Sequence, residues 1–235
     1  MGKDVIIACD FSSTGQVMDF LDLFGEEKPF VKIGMELFYA EGPEIVRRIK
    51  ERGHKIFLDL KLHDIPNTVK KAMKVLSSLN IDMTNLHAAG SSAMMQAAVE
   101  GLTRPDVTRP ILLAVTMLTS IDEATMQKEL LIGSSLSDTV MTYAKNAASA
   151  GLDGVVCSPH ESPQVHASCG PNFLTVTPGV RFADSSAGDQ ARVTTPAEAR
   201  KLGSDYIVVG RPITQADDPV EAYRRCMNEF VGGLL

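Results

Sequence analysis

Eight short aliphatic or β-branched runs recur along the 235-residue chain: "VIIAC" from residue 5, "FVKIG" from 30, "KIFLDL" from 55, "MTNLH" from 83, "ILLAVT" from 111, "GVVCS" from 154, "FLTVTPG" from 173 and "YIVVG" from 206. Between them lie segments with helical spacing, among them "GPEIVRRIKERG", "PNTVKKAMKVLSSL", "SSAMMQAAVEGL", "LSDTVMTYAKNAASAG", "TPAEARKLG" and "DPVEAYRRCMNEFV". Several open at Ser, Asp or Pro and close at Gly, as helix caps do. A strand covered on both faces reads as a continuous apolar run, and eight such runs alternating with helices suit a parallel barrel. The competing architecture, an open doubly wound sheet, would put G-x-G-x-x-G after its first strand. Here "ACDFSSTGQV" carries one glycine, and an aspartate stands where small residues belong. No low-complexity linker or shift of composition marks a boundary. The expectation is an α/β fold, a single (β/α)8 TIM barrel over residues 1–235.

A barrel of this kind carries its chemistry at the C-terminal ends of its strands, and that is where polar residues gather. The first run exits at Asp10, the second contains Lys32, and the third runs into "DLKLHDIPNTV", residues 59–69, with Asp59, Lys61 and Asp64. Alternate residues of a strand share a face, so Asp59 and Lys61 point the same way, roughly 6–7 Å apart along the chain. Lys32 on the neighbouring strand can approach them, giving a set that alternates in sign: Lys32, Asp59, Lys61, Asp64. Two charges inside a buried strand need a reason for their desolvation. Asp64 is equally well explained as a helix cap, and His63 and His87 read as supporting contacts rather than bases. The fifth run leads to Thr119. After the last, Gly210 and Arg211 stand where barrels commonly hold phosphate, and Arg211 offers a fork that matches phosphate oxygens. Arg181 and Gln190 lie in the preceding long loop, whose composition suits a lid over the same anion.

A net charge of -6 and a pI near 5.4 leave no broad basic surface for nucleic acid, so an anionic ligand must be met by local cations. The four cysteines form no C-x-x-C pair and the five histidines no H-x-x-x-H spacing, which argues against a disulfide framework and a structural zinc site. The apolar stretch of "MGKDVIIACDF" is too short for a signal peptide, and no segment is long enough for a bilayer. A cytoplasmic protein with reduced thiols is expected.

A lysine between two aspartates is held as ammonium, poor as a Schiff-base nucleophile and well placed to give a proton. A phosphate-bearing substrate that develops a carbanion would use such a group. The motifs "FVKIG", "DLKLHDIPNTV", "VTMLTS", "TPGVR", "DQARV" and "YIVVGRPIT", in this order from end to end, closely resemble the bacterial orotidine 5'-phosphate decarboxylases. The D-x-K-x-x-D core is shared with sugar-phosphate relatives, whereas "HDIPNTV" is much more specific. The resemblance implies decarboxylation of orotidine 5'-phosphate (OMP) to UMP in pyrimidine biosynthesis, without metal or organic cofactor. It implies that Lys61 protonates C6, that Asp59 faces the departing carboxylate, and that Lys32 and Asp64 complete the charged array. Asp10 and Lys32 would bind ribose, Thr119 the pyrimidine, and Arg181, Gln190, Gly210 and Arg211 the phosphate. It further implies a homodimer with shared active sites, Asp64 and Thr68 reaching into the partner's site.

Overall fold

The computed structural model describes residues 3–184 and 194–232. Each of the eight apolar runs forms a strand: β1 (Asp4–Ala8), β2 (Phe30–Ile33), β3 (Ile56–Leu62), β4 (Met83–His87), β5 (Ile111–Val115), β6 (Gly154–Val156), β7 (Leu174–Thr177) and β8 (Tyr206–Val209). All neighbours pair in parallel, and β1 pairs with β8 to close the barrel. The helices are α1 (Thr14–Asp22), α2 (Met35–Glu41), α3 (Glu44–Glu51), α4 (Pro66–Ser77), α5 (Ser91–Leu102), α6 (Glu123–Glu129), α7 (Leu136–Ser149), α8 (Ser162–Cys169), α9 (Pro196–Lys201), α10 (Arg211–Thr214) and α11 (Pro219–Phe230). The six segments read as helical from their spacing become α3, α4, α5, α7, α9 and α11. Side-chain caps fix several starts. Ser13, Asp122, Ser135 and Thr195 each accept a backbone N–H from the first turn, and Thr195 with Glu198 forms a reciprocal capping box.

Alternation along the strands sorts the apolar residues into two cores. Val5, Ile7, Val31, Ile33, Ile56 and Leu58 face outward and pack under the helices. Ile6, Phe30, Phe57, Met83, Leu113, Leu174 and Tyr206 face inward and fill the barrel itself. Two residues further along the same inward faces come Lys32 after Phe30, Asp59 after Phe57 and Asn85 after Met83, all at most 9% exposed. A polar layer therefore rests on an apolar plug, at the C-terminal mouth of the barrel.

On the outer shell α4 and α5 approach closely because Gly101 has no side chain: a Cβ there would run into the Lys70 carbonyl of α4. Helix propensity alone would favour alanine at Gly101 by about 1 kcal/mol. Overpacking costs about 1–3 kcal/mol, and the obstacle is backbone, which cannot swing aside. Gly101→Ala is expected to lower the midpoint of urea unfolding, the sign opposite to the propensity effect.

Candidate active site

At the mouth of the barrel a carboxylate lies between two ammonium groups. Lys61 Nζ is 2.6 Å from Asp59 Oδ1, and Lys32 Nζ is 3.5 Å from Asp59 Oδ2 and 2.9 Å from Asp10 Oδ1. Asn85 Nδ2 donates a third contact to Asp59 Oδ1 at 2.7 Å. The Asp59 side chain is only 10% exposed. Isolated, a charge so buried would cost several kcal/mol; here both carboxylate oxygens face cations. Burial pushes the Asp59 carboxyl up, but Lys32, Lys61 and the hydrogen bonds from Lys61 and Asn85 outweigh it and hold it below 3.8. Burial opposes the charge on Lys32 too, and Asp59 and Asp10 override it, so the Lys32 amine is held above 10.5. Gly34 leaves room for this cluster, since a Cβ there would come within 3.2 Å of both Asp10 Oδ1 and Lys32 Nζ.

Regular alternation does not by itself account for the meeting of Asp59 and Lys61. Lys61 has φ +51°, the left-handed region that costs a non-glycine residue about 1–2 kcal/mol, and the pairing of β3 with β4 shifts register between Leu58 and Leu62. The sequence expectation that they face each other holds, but through a bulge rather than an even strand. The alternating set also differs in one member within the chain. Asp10, not Asp64, completes the series Asp10, Lys32, Asp59, Lys61. Asp64 is exposed just past β3, where its Oδ1 accepts the Ile65 N–H at 2.6 Å, and Thr68 is exposed on the first turn of α4.

Two cavities open from this layer. One, of about 240 Å³, has apolar walls including Val115, Met117, Val156 and Pro178, with Lys32, Asp59, Lys61 and Thr119 as its polar groups. The other, of about 400 Å³, is lined by Asp10, Lys32, Gly179, Arg181, Gly210, Arg211 and Gln215. Lys32, Pro178 and Val208 border both, so one ligand can occupy the two together. Arg181 is buried and donates Nη1 to the Val180 carbonyl at 2.9 Å. Burial and the Arg211 guanidinium beside it lower its proton affinity, and an anion between them would relieve that repulsion. Gln190 lies outside the described residues.

Sequence reasoning passed over Asn85 and Gln215. Asn85 had a signal, an amide inside an otherwise apolar strand, of the same kind that singled out Lys32. Gln215 had none, because it follows α10 in a stretch of ordinary polar composition. The His63 and His87 rings lie tilted by 39° with centroids 5.7 Å apart; burial, then His63 and Lys61, lower the His87 pKa below 6.5, so at neutral pH His87 adds no third cation beside Lys61. Among the described residues no group of three or more His, Cys, Asp or Glu side chains is disposed to hold a metal ion.

A parallel barrel whose mouth joins an ion cluster to a two-arginine anion pocket is the pattern of a phosphate-ester-binding enzyme. Residues 3–226 match the model of the orotidine 5'-phosphate decarboxylase / HUMPS family. The chain is 54% identical over 235 residues to the orotidine 5'-phosphate decarboxylases of Bacillus cereus and Bacillus cytotoxicus, with 99% of each chain covered. It is also similar to the crystal structure of orotidine 5'-phosphate decarboxylase from Lactobacillus acidophilus, with TM-score 0.87 and 43% identity over 97% of this chain and 99% of that one. An uncharacterized conserved protein from Geobacillus kaustophilus is similar at TM-score 0.87 and 49% identity, over 96% and 99%. The chain belongs to the orotidine 5'-phosphate decarboxylase family.

The Asp59 cluster has a measurable signature in stability. Because its folded-state pKa lies below 3.8, its contribution is complete above that value and disappears as pH falls through the folded-state pKa. Asp59→Asn should cost about 1–3 kcal/mol at neutral pH, less than the full penalty of an orphaned buried charge because Lys61 can turn toward water. Urea midpoints of wild type and variant, followed from about pH 7 down to about pH 3, should differ by a constant amount above the ordinary carboxylate range and by less once the pH falls below it.

Proposed function

We propose that the protein converts OMP to UMP and carbon dioxide as a carboxy-lyase of pyrimidine biosynthesis, with Lys61 as the proton donor and no cofactor. The reading is carried above all by the Lys61 ammonium, 2.6 Å from a buried carboxylate at the polar end of a cavity sized for a planar ring. The phosphate lies against Arg181, Arg211 and Gly210, and Gln190 is its further binding residue. Asp10 and Lys32 bind the ribose hydroxyls between the two cavities, and the pyrimidine enters the smaller one beside Thr119.

In that pose the substrate carboxylate meets Asp59 and C6 meets Lys61. The bond from C6 to the carboxylate breaks, carbon dioxide leaves, and the electron pair stays on C6. Lys61 gives C6 its proton and is recharged from solvent afterwards. The ammonium is in place before charge develops, so its benefit falls mainly on the transition state and needs no reorganisation. Repulsion between Asp59 and the substrate carboxylate raises the ground state and is relieved as carbon dioxide departs. Binding energy from the remote phosphate is spent on closing the site around the ring.

The working unit is a cytoplasmic homodimer. Asp64, Ile65 and Thr68 stand exposed beside the mouth, with Ile65 66% exposed, and a second copy seated there would receive Asp64 and Thr68 near its own Lys61. Cys9, Cys157, Cys169 and Cys226 are free thiols, in keeping with a reducing compartment.

The decisive assay follows the loss of OMP absorbance. Wild type should turn over equally with and without EDTA, and Lys61→Ala should lose at least about 10⁴-fold in kcat. Absence of turnover by pure, folded wild type rejects the reading. Arg211→Ala should raise KM by about 10- to 100-fold, the worth of a charge-assisted hydrogen bond. Mixing inactive Asp64→Ala and Lys61→Ala proteins restores activity if sites are shared between subunits, and none if each is built from one chain.

A further inference from the structure

We propose that Asn85 is a positioning residue for the decarboxylation, fixing the height and direction of the Lys61 ammonium by holding Lys61 at its backbone and Asp59 at its carboxylate. The proposal rests on the role given to Lys61 above.

Its basis is the irregularity between β3 and β4. The strands are in register at Leu58 with Thr84 and again at Leu62 with Leu86. Four steps along β3 thus match two along β4, and Asp59, Leu60 and Lys61 lie opposite Asn85 alone. A bulge of this kind leaves backbone groups without ladder partners. The Asn85 side chain supplies one: its Oδ1 accepts the Lys61 backbone N–H at 2.8 Å. The other end of the same amide, Nδ2, donates to Asp59 Oδ1 at 2.7 Å, the oxygen that also accepts Lys61 Nζ at 2.6 Å. The contacts close a ring from the Lys61 backbone through Asn85 and Asp59 to the Lys61 ammonium.

The ring works in one orientation only. Turned over, the amide would set its oxygen against the Asp59 carboxylate and its NH2 against the Lys61 N–H, pairing like with like at both ends. Asn85 is 1% exposed, so no water competes for either contact. Lys61 sits in the left-handed region at φ +51°, a conformation that persists only where its surroundings over-determine it; the bond to Asn85 Oδ1 is a direct restraint on that residue's backbone. Leucine has no polar end, ionised aspartate no donor, and glutamine is longer by a methylene in a closed space.

Asp59 faces Lys32 from β2, Lys61 from its own strand and His87 from the end of β4, with Asp10 beyond Lys32. Among these, Asn85 is the neutral donor, so its removal takes a hydrogen bond from the carboxylate without changing the charge count. Loss of that bond raises the proton affinity of Asp59.

The experiment measures OMP decarboxylation across pH for wild type, Asn85→Ala and Asn85→Asp, together with UMP binding. In Asn85→Ala, kcat should fall about 10- to 100-fold, the cost of a charged hydrogen bond and a misplaced reacting group. KM and UMP affinity should change less than about twofold, because ribose and phosphate contacts lie on other strands. The acid limb of kcat/KM should move to higher pH. Asn85→Asp keeps the shape and the acceptor for Lys61. Protonated, its hydroxyl can replace the amide donor toward Asp59; ionised, it repels Asp59. Its activity relative to wild type should therefore fall as pH rises, a trend that mere support of the bulge would not produce. Should Asn85→Ala fold poorly, the pH trend of Asn85→Asp carries the test. Wild-type kcat and an unmoved pH profile in the folded variants overturn the proposal while leaving the OMP reading intact. An inactive wild type overturns both.

Discussion

The carboxylate of Asp59, held between the ammonium groups of Lys32 and Lys61, is the constraint to which the rest of the mouth is fitted. With 10% of its side chain exposed it cannot rely on water, and each cation alone would be costly to hold in the same place. Together they stay ionised, and the barrel supplies the geometry: Lys32 follows Phe30, Asp59 follows Phe57 and Asn85 follows Met83 on the inward faces of adjacent strands. The apolar plug beneath keeps water from entering from below. A charged layer resting on a dry floor is strongly coupled within itself and opens toward ligand on one side only.

The same layer connects recognition with chemistry. Lys32 borders both the smaller cavity and the pocket of Arg181 and Arg211, so a phosphate ester bound there by its anion would reach the ion cluster. The chain carries a net charge of -6, and its affinity for an anion is consequently local. Burial, and after it the neighbouring Arg211 guanidinium, depress the Arg181 pKa, and such a site gains when a doubly charged group arrives. Remote binding of this kind is the source of energy that an enzyme can direct into closure and alignment at the reacting carbon.

One departure from regular strand structure falls where the chemistry falls. The register shift of β3 against β4 and the positive φ of Lys61 occur at one residue, and an ideal strand would have neither. Such violations are expected at functional sites, where a side chain must be aimed rather than merely packed. The cost of the left-handed turn is offset by the contacts that Asn85 and Asp59 make with Lys61.

The barrel was legible because strands covered on both faces leave continuous apolar runs, and all eight were visible before any coordinate. Helices with strong spacing were legible too, whereas α10, of 4 residues, is too short to display a period. Lys32, Asp59 and Lys61 stood out because charge inside a buried strand is rare, and Arg211 because it follows the last strand directly. What the sequence determined by itself was therefore which residues belong to the barrel and, apart from Lys61 on its bulge, which of them face its mouth, since both follow from local periodicity. Tertiary structure alone decided that Asp10 rather than Asp64 completes the charge series within the chain, and that Asn85 locks Lys61 to Asp59. Those contacts join residues 22 and 24 positions or more apart, and closing the barrel sets which levels of neighbouring strands meet, a register that no single strand encodes.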